Sequence, residues 1–424
     1  MRILMLAQFY PPVLGGEERH VASLSEELIK RGHTVGVATL QQPGSPEEDQ
    51  AGGVQVYRLP STLQRAGFLY SDPERRHASP FPDPETTLAM RRLVKQFQPD
   101  IVHAHNWLVY SYLPLKRWAG VPLVLTLHDY SRVCAIKRLM YKDQQTCSGP
   151  AFSKCLACSR DHYGPTGPPT YLSNRLMGSL QRRLVDRYIT VSHATARGNN
   201  LLPGGKIQYQ VIPNFLPDDF DASQAGAHPL TQQLPEDGFL LYVGDLSQDK
   251  GVHVLLKAYA MLSDAPPLVL IGRKTETTPQ HLPDNVIMFN SWPHRAVLEA
   301  WERCSIAFAP SVWPEPFGIV VIEAMAAAKP VIASNIGGLP DIVADGETGN
   351  LVAPGNPDEL CQVIERLLQD PALQSQLGQA GRQRVERFRA RRVVPQIEQV
   401  YYELLGTASQ TQMQGGRTGY GETR

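Results

Sequence analysis

The sequence predicts an α/β protein with two domains, each built on a parallel β-sheet. The chain has 424 residues, more than one hydrophobic core usually supports. Near its start, apolar runs at 2–9 and 34–40 flank a helical segment at 17–30. The same order returns at 305–310, 319–328 and 331–333. Short, continuously apolar runs are typical of strands buried on both faces of a parallel sheet.

The charge balance excludes a general affinity for nucleic acid. Basic and acidic residues number 41 each, so we expect no nucleic-acid partner. Two basic runs stand out, at 381–392 and 181–187. Such runs are either solvated helix faces or surfaces that dock on an anionic membrane.

Targeting signals are missing from the sequence pattern. No apolar run approaches the roughly 18 residues that a membrane-spanning helix needs. Residues 1–7 are too short for a signal peptide and are typical of a first strand. We therefore expect a cytoplasmic protein with reduced thiols, either fully soluble or peripheral on the inner face of the membrane.

Two carboxylates bracket the turn that joins a strand to a helix in the second half of the chain. Glu315 precedes the helix, and Glu323 follows with seven residues between them. The helix start near 318–320 offers unpaired N–H groups and a positive dipole end to a phosphate. Carboxylates are good acceptors for sugar hydroxyls, so the spacing favours a nucleotide-sugar with its diphosphate between the two glutamates. The alternative is an alanine-rich core helix with two solvated glutamates.

These residues carry a family resemblance. Residues 315–326, EPFGIVVIEAMA, resemble the E-x7-E signature of retaining glycosyltransferases of family four, which have the GT-B fold. Matching segments follow at 329–334 (KPVIAS), 337–340 (GGLP) and 345–352 (DGETGNLV). The resemblance implies two Rossmann-like domains facing across a cleft, with a C-terminal helix crossing back. It also implies transfer of a sugar from a nucleotide-diphospho-sugar to a hydroxyl of a carbohydrate, lipid-linked or small-molecule acceptor.

The resemblance and the composition together suggest domain boundaries. We place an acceptor-side domain at 1–216, with a Cys-rich insertion at 130–168, and a donor-binding domain at 217–385. Residues 386–405 are predicted to form the returning helix. The polar tail at 406–424, rich in Gly, Thr and Gln, is predicted to be disordered.

Site residues follow from the resemblance, position by position. His128 and Glu315 would lie against the transferred sugar as catalytic residues. The implied donor-binding positions are Gly15, Gly16, Gly244, Lys250, Arg273, Phe317, Gly318, Ile319, Val320 and Glu323, with Glu323 on the ribose. The family usually has Arg after the glycine at 244, where this chain has Asp245. Arg273 is therefore a candidate substitute for the missing cation, and Arg197 is another.

Metal ligation remains open at two places. Four of the six cysteines, Cys134, Cys147, Cys155 and Cys158, lie in the insertion, where they would form a structural zinc site, remain packed thiols or form a disulfide. His103 and His105 share one strand face, and they are either a metal pair or core histidines.

The implied catalysis needs no cofactor. Lys250 and backbone dipoles would hold the diphosphate, because the Asp-x-Asp pair at 219 and 221 falls in the predicted linker. Two rival functions remain open. One is a nucleotide-sugar epimerase on the same fold, and the other is a non-catalytic subunit that binds nucleotide-sugars.

Overall fold

The computed structural model describes residues 1–12, 15–42, 46, 48–65, 77–142, 145–224, 226 and 228–415. Two parallel sheets form two α/β domains that face each other across a cleft. The prediction of the GT-B arrangement is thereby confirmed.

The first domain is built on a sheet of eight strands. The strands of the first half of the chain are β1 Arg2–Leu6, β2 Thr34–Leu40, β3 Glu48–Ala51, β4 Val54–Leu59, β5 Ile101–Ala104, β6 Leu123–Leu127, β7 Met140–Tyr141, β8 Gln145–Thr146, β9 Arg187–Thr190 and β10 Tyr209–Val211. The sheet order is β10-β9-β6-β5-β1-β2-β4-β3. Every neighbouring pair is parallel except β3, which runs antiparallel to β4 at the edge. β7 and β8 form a separate hairpin within the insertion.

Helices cover both faces of this sheet. They are α1 Gly16–Lys30, α2 Pro84–Phe97, α3 Val109–Tyr112, α4 Lys116–Ala119, α5 Phe152–Tyr163, α6 Gly167–Leu184 and α7 His193–Gly198. Helix α2 begins where local sequence favours a start, because Asp83 caps it and Pro84 follows at the first helical position.

The second domain is built on six parallel strands. They are β11 Leu240–Val243, β12 Leu268–Gly272, β13 Val286–Asn290, β14 Ile306–Ala309, β15 Val331–Ser334 and β16 Asn350–Val352, in the order β13-β12-β11-β14-β15-β16. The helices of this half are α8 Val252–Tyr259, α9 His294–Arg303, α10 Ile319–Ala326, α11 Leu339–Ile342, α12 Pro357–Gln369, α13 Pro371–Val385 and α14 Ala390–Gly415. The strand order changes direction at β1 in the first sheet and at β11 in the second. The carboxyl ends of these two strands lead toward the cleft, where open α/β sheets bind ligands.

The last helix, α14, returns to the first domain. Val393, Val394 and Ile397 are buried against Ile3 and Met5 of β1. The two crossing segments also pair directly, since Leu216 donates to the carbonyl of Phe388 and Ala390 donates to that of Leu216. This packing fixes the second domain to the first at the side of the cleft.

α14 runs from Ala390 to Gly415 and so includes residues 406–415. The disordered tail at 406–424 stays a prediction. Residues 416–424 lie outside the described residues.

Candidate active site

The turn between β14 and α10 is held in a conformation that requires glycine. Gly318 has φ +110°, a backbone angle that residues with a side chain rarely adopt, and α10 begins at the next residue. Gly337 has φ +63°, and a Cβ there would lie 2.2 Å from the carbonyl oxygen of Glu315. The neighbouring Gly338 donates its N–H to that same carbonyl at 2.7 Å. The paired glycines therefore brace the turn that carries Glu315.

A cavity of 550 Å³ between the two domains, which we call the donor cavity, collects most of the predicted site residues. They are Gly15, Gly16, His128, Gly244, Lys250, Arg273, Glu315, Phe317, Gly318, Ile319 and Val320. Gly16 lies opposite the start of α10, since a Cβ on it would be 3.8 Å from the Cδ1 of Ile319. Glu323 is not among the lining residues. It lines an adjoining cavity of 510 Å³, and Arg19 and Ile319 border both spaces.

Glu315 is paired with the cation predicted for the diphosphate. The Nζ of Lys250 donates to Oε2 of Glu315 at 2.6 Å, and the indole N–H of Trp313 donates to the same oxygen at 3.0 Å. Burial alone would lower the pKa of Lys250, but the charge of Glu315 outweighs it and the pKa lies above the ordinary value. Lys250 is therefore a permanent cation on the wall of the donor cavity.

Glu323 is buried, with 2% of its surface exposed. Its Oε1 accepts from Arg19 at 3.1 Å and faces the Nε2 of His294 at 2.9 Å. Burial opposes ionisation, but Arg19 and His294 outweigh it, so the pKa of Glu323 lies below its usual range. Its Oε2 is buried and accepts no hydrogen bond from the described residues. This oxygen is enclosed by protein, with the indole of Trp301 beside the carboxyl, so a ligand hydroxyl reaches it only if these side chains move.

Asp245 and Arg273 form an ion pair at the other end of the donor cavity. The Nη2 of Arg273 lies 2.8 Å from Oδ2 of Asp245, and its Nε lies 3.2 Å from Oδ1. The guanidinium predicted as a substitute cation is thus neutralised by the very carboxylate that replaces the usual arginine.

His128, which is half-buried, belongs to a cluster with three buried histidines, His20, His103 and His105. Its Nε2 lies 3.0 Å from Nδ1 of His105, while His103 bridges Tyr401 at 2.6 Å and Thr126 at 2.7 Å. Burial lowers the pKa of His103 to about 3 and that of His20 to about 4. The pKa values of His105 and His128 also lie well below the ordinary value, because of burial and the neighbouring rings. His128 therefore faces the cleft as a neutral imidazole.

Two sequence profiles cover most of the chain. "Glycosyltransferase Family 4" matches residues 14–220, and "Glycosyl transferases group 1" matches residues 231–384. The chain belongs to glycosyltransferase family four. It is a glycosyltransferase by class of enzyme as well as by fold.

Known relatives resemble this glycosyltransferase over nearly its whole length. Glycogen synthase from Mycobacterium tuberculosis is 29% identical over 408 residues, which cover 91% of this chain and 90% of the relative. Sucrose-phosphate synthase from Thermosynechococcus elongatus superposes with a TM-score of 0.74 at 23% identity, covering 96% and 99% of the two chains. Anabaena HepE, solved with UDP and glucose, superposes with a TM-score of 0.68 at 21% identity over 95% and 100%.

Contacts between the domains of the glycosyltransferase converge on the turn that carries Glu315. Tyr130 donates its hydroxyl to the carbonyl of Pro314 at 2.8 Å, and Thr195 donates to that of Pro316 at 3.1 Å. Sequence reasoning missed these residues, and it also missed Arg19, His294 and Trp313, which hold the two glutamates. Except for Trp313, which lies two residues before Glu315, their partners are distant in the chain, so no local pattern signals them.

The cysteines of the insertion gather around one small cavity. Cys134, Cys147, Cys155 and Cys158 all line it, and none is in a disulfide. Burial raises the pKa of Cys134 to about 11, while backbone N–H groups of Ile136, Arg138 and Leu139 hydrogen-bond its sulfur. Within the described residues, no group of three or more His, Cys, Asp or Glu is arranged to hold a metal ion. Structural zinc therefore stays a prediction, and His103 and His105 are core histidines with protein partners.

Membrane contact receives no support from the basic runs. Arg384 donates to the carbonyl of Ile342, Arg389 donates to those of Pro217 and Phe220, and Arg391 pairs with Asp218. These side chains tie helices together. Among the described residues, no helix is both long enough and apolar enough to span a bilayer.

Proposed function

We propose that this glycosyltransferase is a retaining, metal-independent enzyme that uses a nucleotide-diphospho-sugar. The observation that carries the proposal is the donor cavity, where Lys250, the N-terminus of α10 and Glu315 surround one space between the domains. A helix N-terminus and an ammonium supply positive charge to a diphosphate without a cation from solution.

The diphosphate is the group that gains charge during transfer. When the acceptor oxygen bonds to the anomeric carbon, the bond from that carbon to the diphosphate breaks. Fixed dipoles at residues 318–320 and the charge of Lys250 stabilise the leaving group, which is the main electrostatic task of such a site. Lys250 holds Glu315 at 2.6 Å, so this pair also fixes the carboxylate beside the space for the sugar.

Glu323 binds the ribose in this proposal. Its low pKa keeps the carboxylate ionised, and a ribose hydroxyl would replace Arg19 or His294 as its partner. Arg19 and Ile319 border both cavities, so in this proposal the ribose reaches Glu323 past these two side chains.

The proposed chemistry retains the anomeric configuration by front-face attack. The neutral His128 imidazole and the Glu315 carboxylate lie on the sugar side of the cavity, and the departing phosphate oxygen takes the proton of the acceptor hydroxyl. Domain closure over the cleft would exclude water and limit hydrolysis of the donor.

The experiment is a thermal-shift screen with UDP-, GDP-, ADP- and dTDP-sugars, each with and without EDTA. UDP-glucose comes first, because HepE was solved with it. A ligand that binds only the folded protein raises the melting temperature. We expect a shift with one base that EDTA leaves unchanged, and the anomeric configuration of the product by NMR then tests retention. A shift that EDTA abolishes would contradict the metal-independent site.

The same reaction mixture distinguishes a transferase from the rival epimerase. A change in the donor sugar without any acceptor would favour that enzyme. Release of the nucleoside diphosphate only in the presence of acceptor favours the transferase.

A further inference from the structure

A second large cavity, which we call the insertion cavity, lies beside the donor cavity. It measures 780 Å³, a volume suited to a ligand of one to three sugar rings. Its walls come from the first domain, from the Cys-rich insertion and from Trp313 of the second domain. None of the established features of the chain accounts for this space.

The two cavities meet where the reaction would occur. Trp313 lines both of them, and its indole N–H donates to Glu315. His128 lines the donor cavity, while the next residue, Asp129, lines the insertion cavity. A ligand in the insertion cavity can therefore present a hydroxyl to a sugar held at Glu315.

Aromatic side chains form part of the walls. Trp107, Trp313, Phe81 and Tyr163 all border the space. Phe81 is 38% exposed, so its ring is accessible to a ligand in the cavity. Flat aromatic faces pack against the C–H faces of sugar rings, whereas hydroxyls at the ring edges need polar partners. Asp129, Ser79 and Thr170 supply such partners at the same walls.

Lys137 introduces a positive charge into this cavity under unusual constraints. Its backbone has φ +67°, in the left-handed region that costs about 1 kcal/mol or more for a residue with a side chain. Its ammonium lies 4.0 Å from the ring centroid of Trp107. Within the described part of the chain, it makes neither a hydrogen bond nor an ion pair closer than 4 Å, and only the longer-range charges of Asp129, Glu17 and Glu18 offset its burial. A half-buried cation in this state is stabilised most by an anionic ligand.

We propose that the insertion cavity binds the acceptor, and that the acceptor is a sugar carrying a phosphate or a carboxylate. The sugar ring packs against the indole of Trp313, and the anionic group binds Lys137, whose ammonium covers the face of the buried Trp107. The role of this ligand as the acceptor rests on the proposed function. Binding of an anionic sugar in the insertion cavity can be measured without turnover.

The test is a titration followed by tryptophan fluorescence. The probes are inorganic phosphate, glucose 6-phosphate, fructose 6-phosphate and glucuronate, each sugar paired with its uncharged parent. We expect saturable changes with the anionic sugars and at least tenfold weaker binding in Lys137→Met. Lys257→Met, which removes an exposed lysine of α8, should bind like the original protein. Trp118→Phe, which changes an exposed indole, should keep the signal.

The outcomes separate the two proposals. Equal binding of charged and uncharged sugars, or no effect of Lys137→Met, overturns the anionic acceptor. Absence of binding by every probe overturns the acceptor cavity. A nucleotide-sugar thermal shift, measured on the same variants, must persist in Lys137→Met, which shows that the variant is folded. If the unmutated protein binds none of the nucleotide-sugars, the proposed function is contradicted instead.

Discussion

At the scale of single residues, the site differs from the expected pattern through charge pairing. Asp245 stands where the family usually has arginine, and the structure shows that it neutralises Arg273. Lys250 is in turn paired with Glu315. The identities of these residues were predictable from the sequence, but their partners were not, because each pair joins separate loops at the carboxyl ends of different strands.

Removing Asp245 should strengthen donor binding. Asp245→Asn takes one negative charge from the donor cavity and releases Arg273 toward the diphosphate. At this exposed edge, the gain is about 1 kcal/mol, so we expect a three- to tenfold lower Kd for the nucleoside diphosphate by calorimetry. Asp284→Asn, at an exposed position, is the control. Weaker binding in Asp245→Asn would mean that the intact ion pair is what contacts the donor.

Glu323 should contribute to nucleotide affinity rather than to the chemical step. Glu323→Gln keeps the size of the side chain but loses the charge that a ribose hydroxyl would meet. Hydrogen bonds to a charged group contribute about 1.5–3 kcal/mol, so Kd should rise about 10- to 100-fold while kcat changes little. Glu236→Gln, which is exposed, serves for comparison. An unchanged Kd would remove Glu323 from the donor site.

At the scale of elements, apolar periodicity predicted most strands and helices. The strands that it missed are short or polar and therefore lack this periodicity. The strand predicted at 34–40 is β2, and the helix predicted at 17–30 is α1. The edge strand β3 was missed because its sequence, EDQA, is polar and pairs on one side only. The hairpin of β7 and β8 was missed because its strands are two residues long.

The buried histidines should make the first domain sensitive to acid. The pKa values of His20 and His103, about 4 and about 3, lie below the ordinary value, so the unfolded chain binds more protons between about pH 3 and 6.5. Stability is therefore present above pH 6.5 and falls as the pH decreases, by about 1.4 kcal/mol per pH unit for each histidine. Urea unfolding at pH 7, 6 and 5 measures this slope. His103→Gln should reduce it by about that amount, whereas His281→Gln, at an exposed position, should leave it unchanged.

The cysteines of the insertion should bind one zinc ion per chain. Four thiols line one cavity, but among the described residues they are not arranged as a ligand group, so zinc would have to draw them together and ionise them. We expect one equivalent of zinc by elemental analysis and a lower melting temperature after chelation. Cys158→Ser should lose the metal, and Cys361→Ser, in the second domain, should keep it. Six reactive thiols without zinc in the purified protein would refute the zinc site.

At the scale of the whole molecule, the cleft depends on contacts that join distant parts of the chain. Tyr130 and Thr195 of the first domain hold the carbonyls on either side of Glu315, and Arg19 holds Glu323. The motif 315–326 was enough to predict the fold class and the donor-side residues. It could not predict that Glu323 lies in an adjoining cavity, because that depends on how α1 and α10 meet.

The central claim is that Glu315 acts on the transferred sugar, while the rest of the donor cavity holds the nucleotide. The direct measurement compares nucleotide Kd and kcat for Glu315→Gln, with the donor identified by the thermal-shift screen. Because this change releases Lys250 toward the diphosphate, we predict a nucleotide Kd that is unchanged or lower, together with a kcat at least 100-fold lower. Normal turnover, or a large loss of nucleotide affinity, would contradict the account.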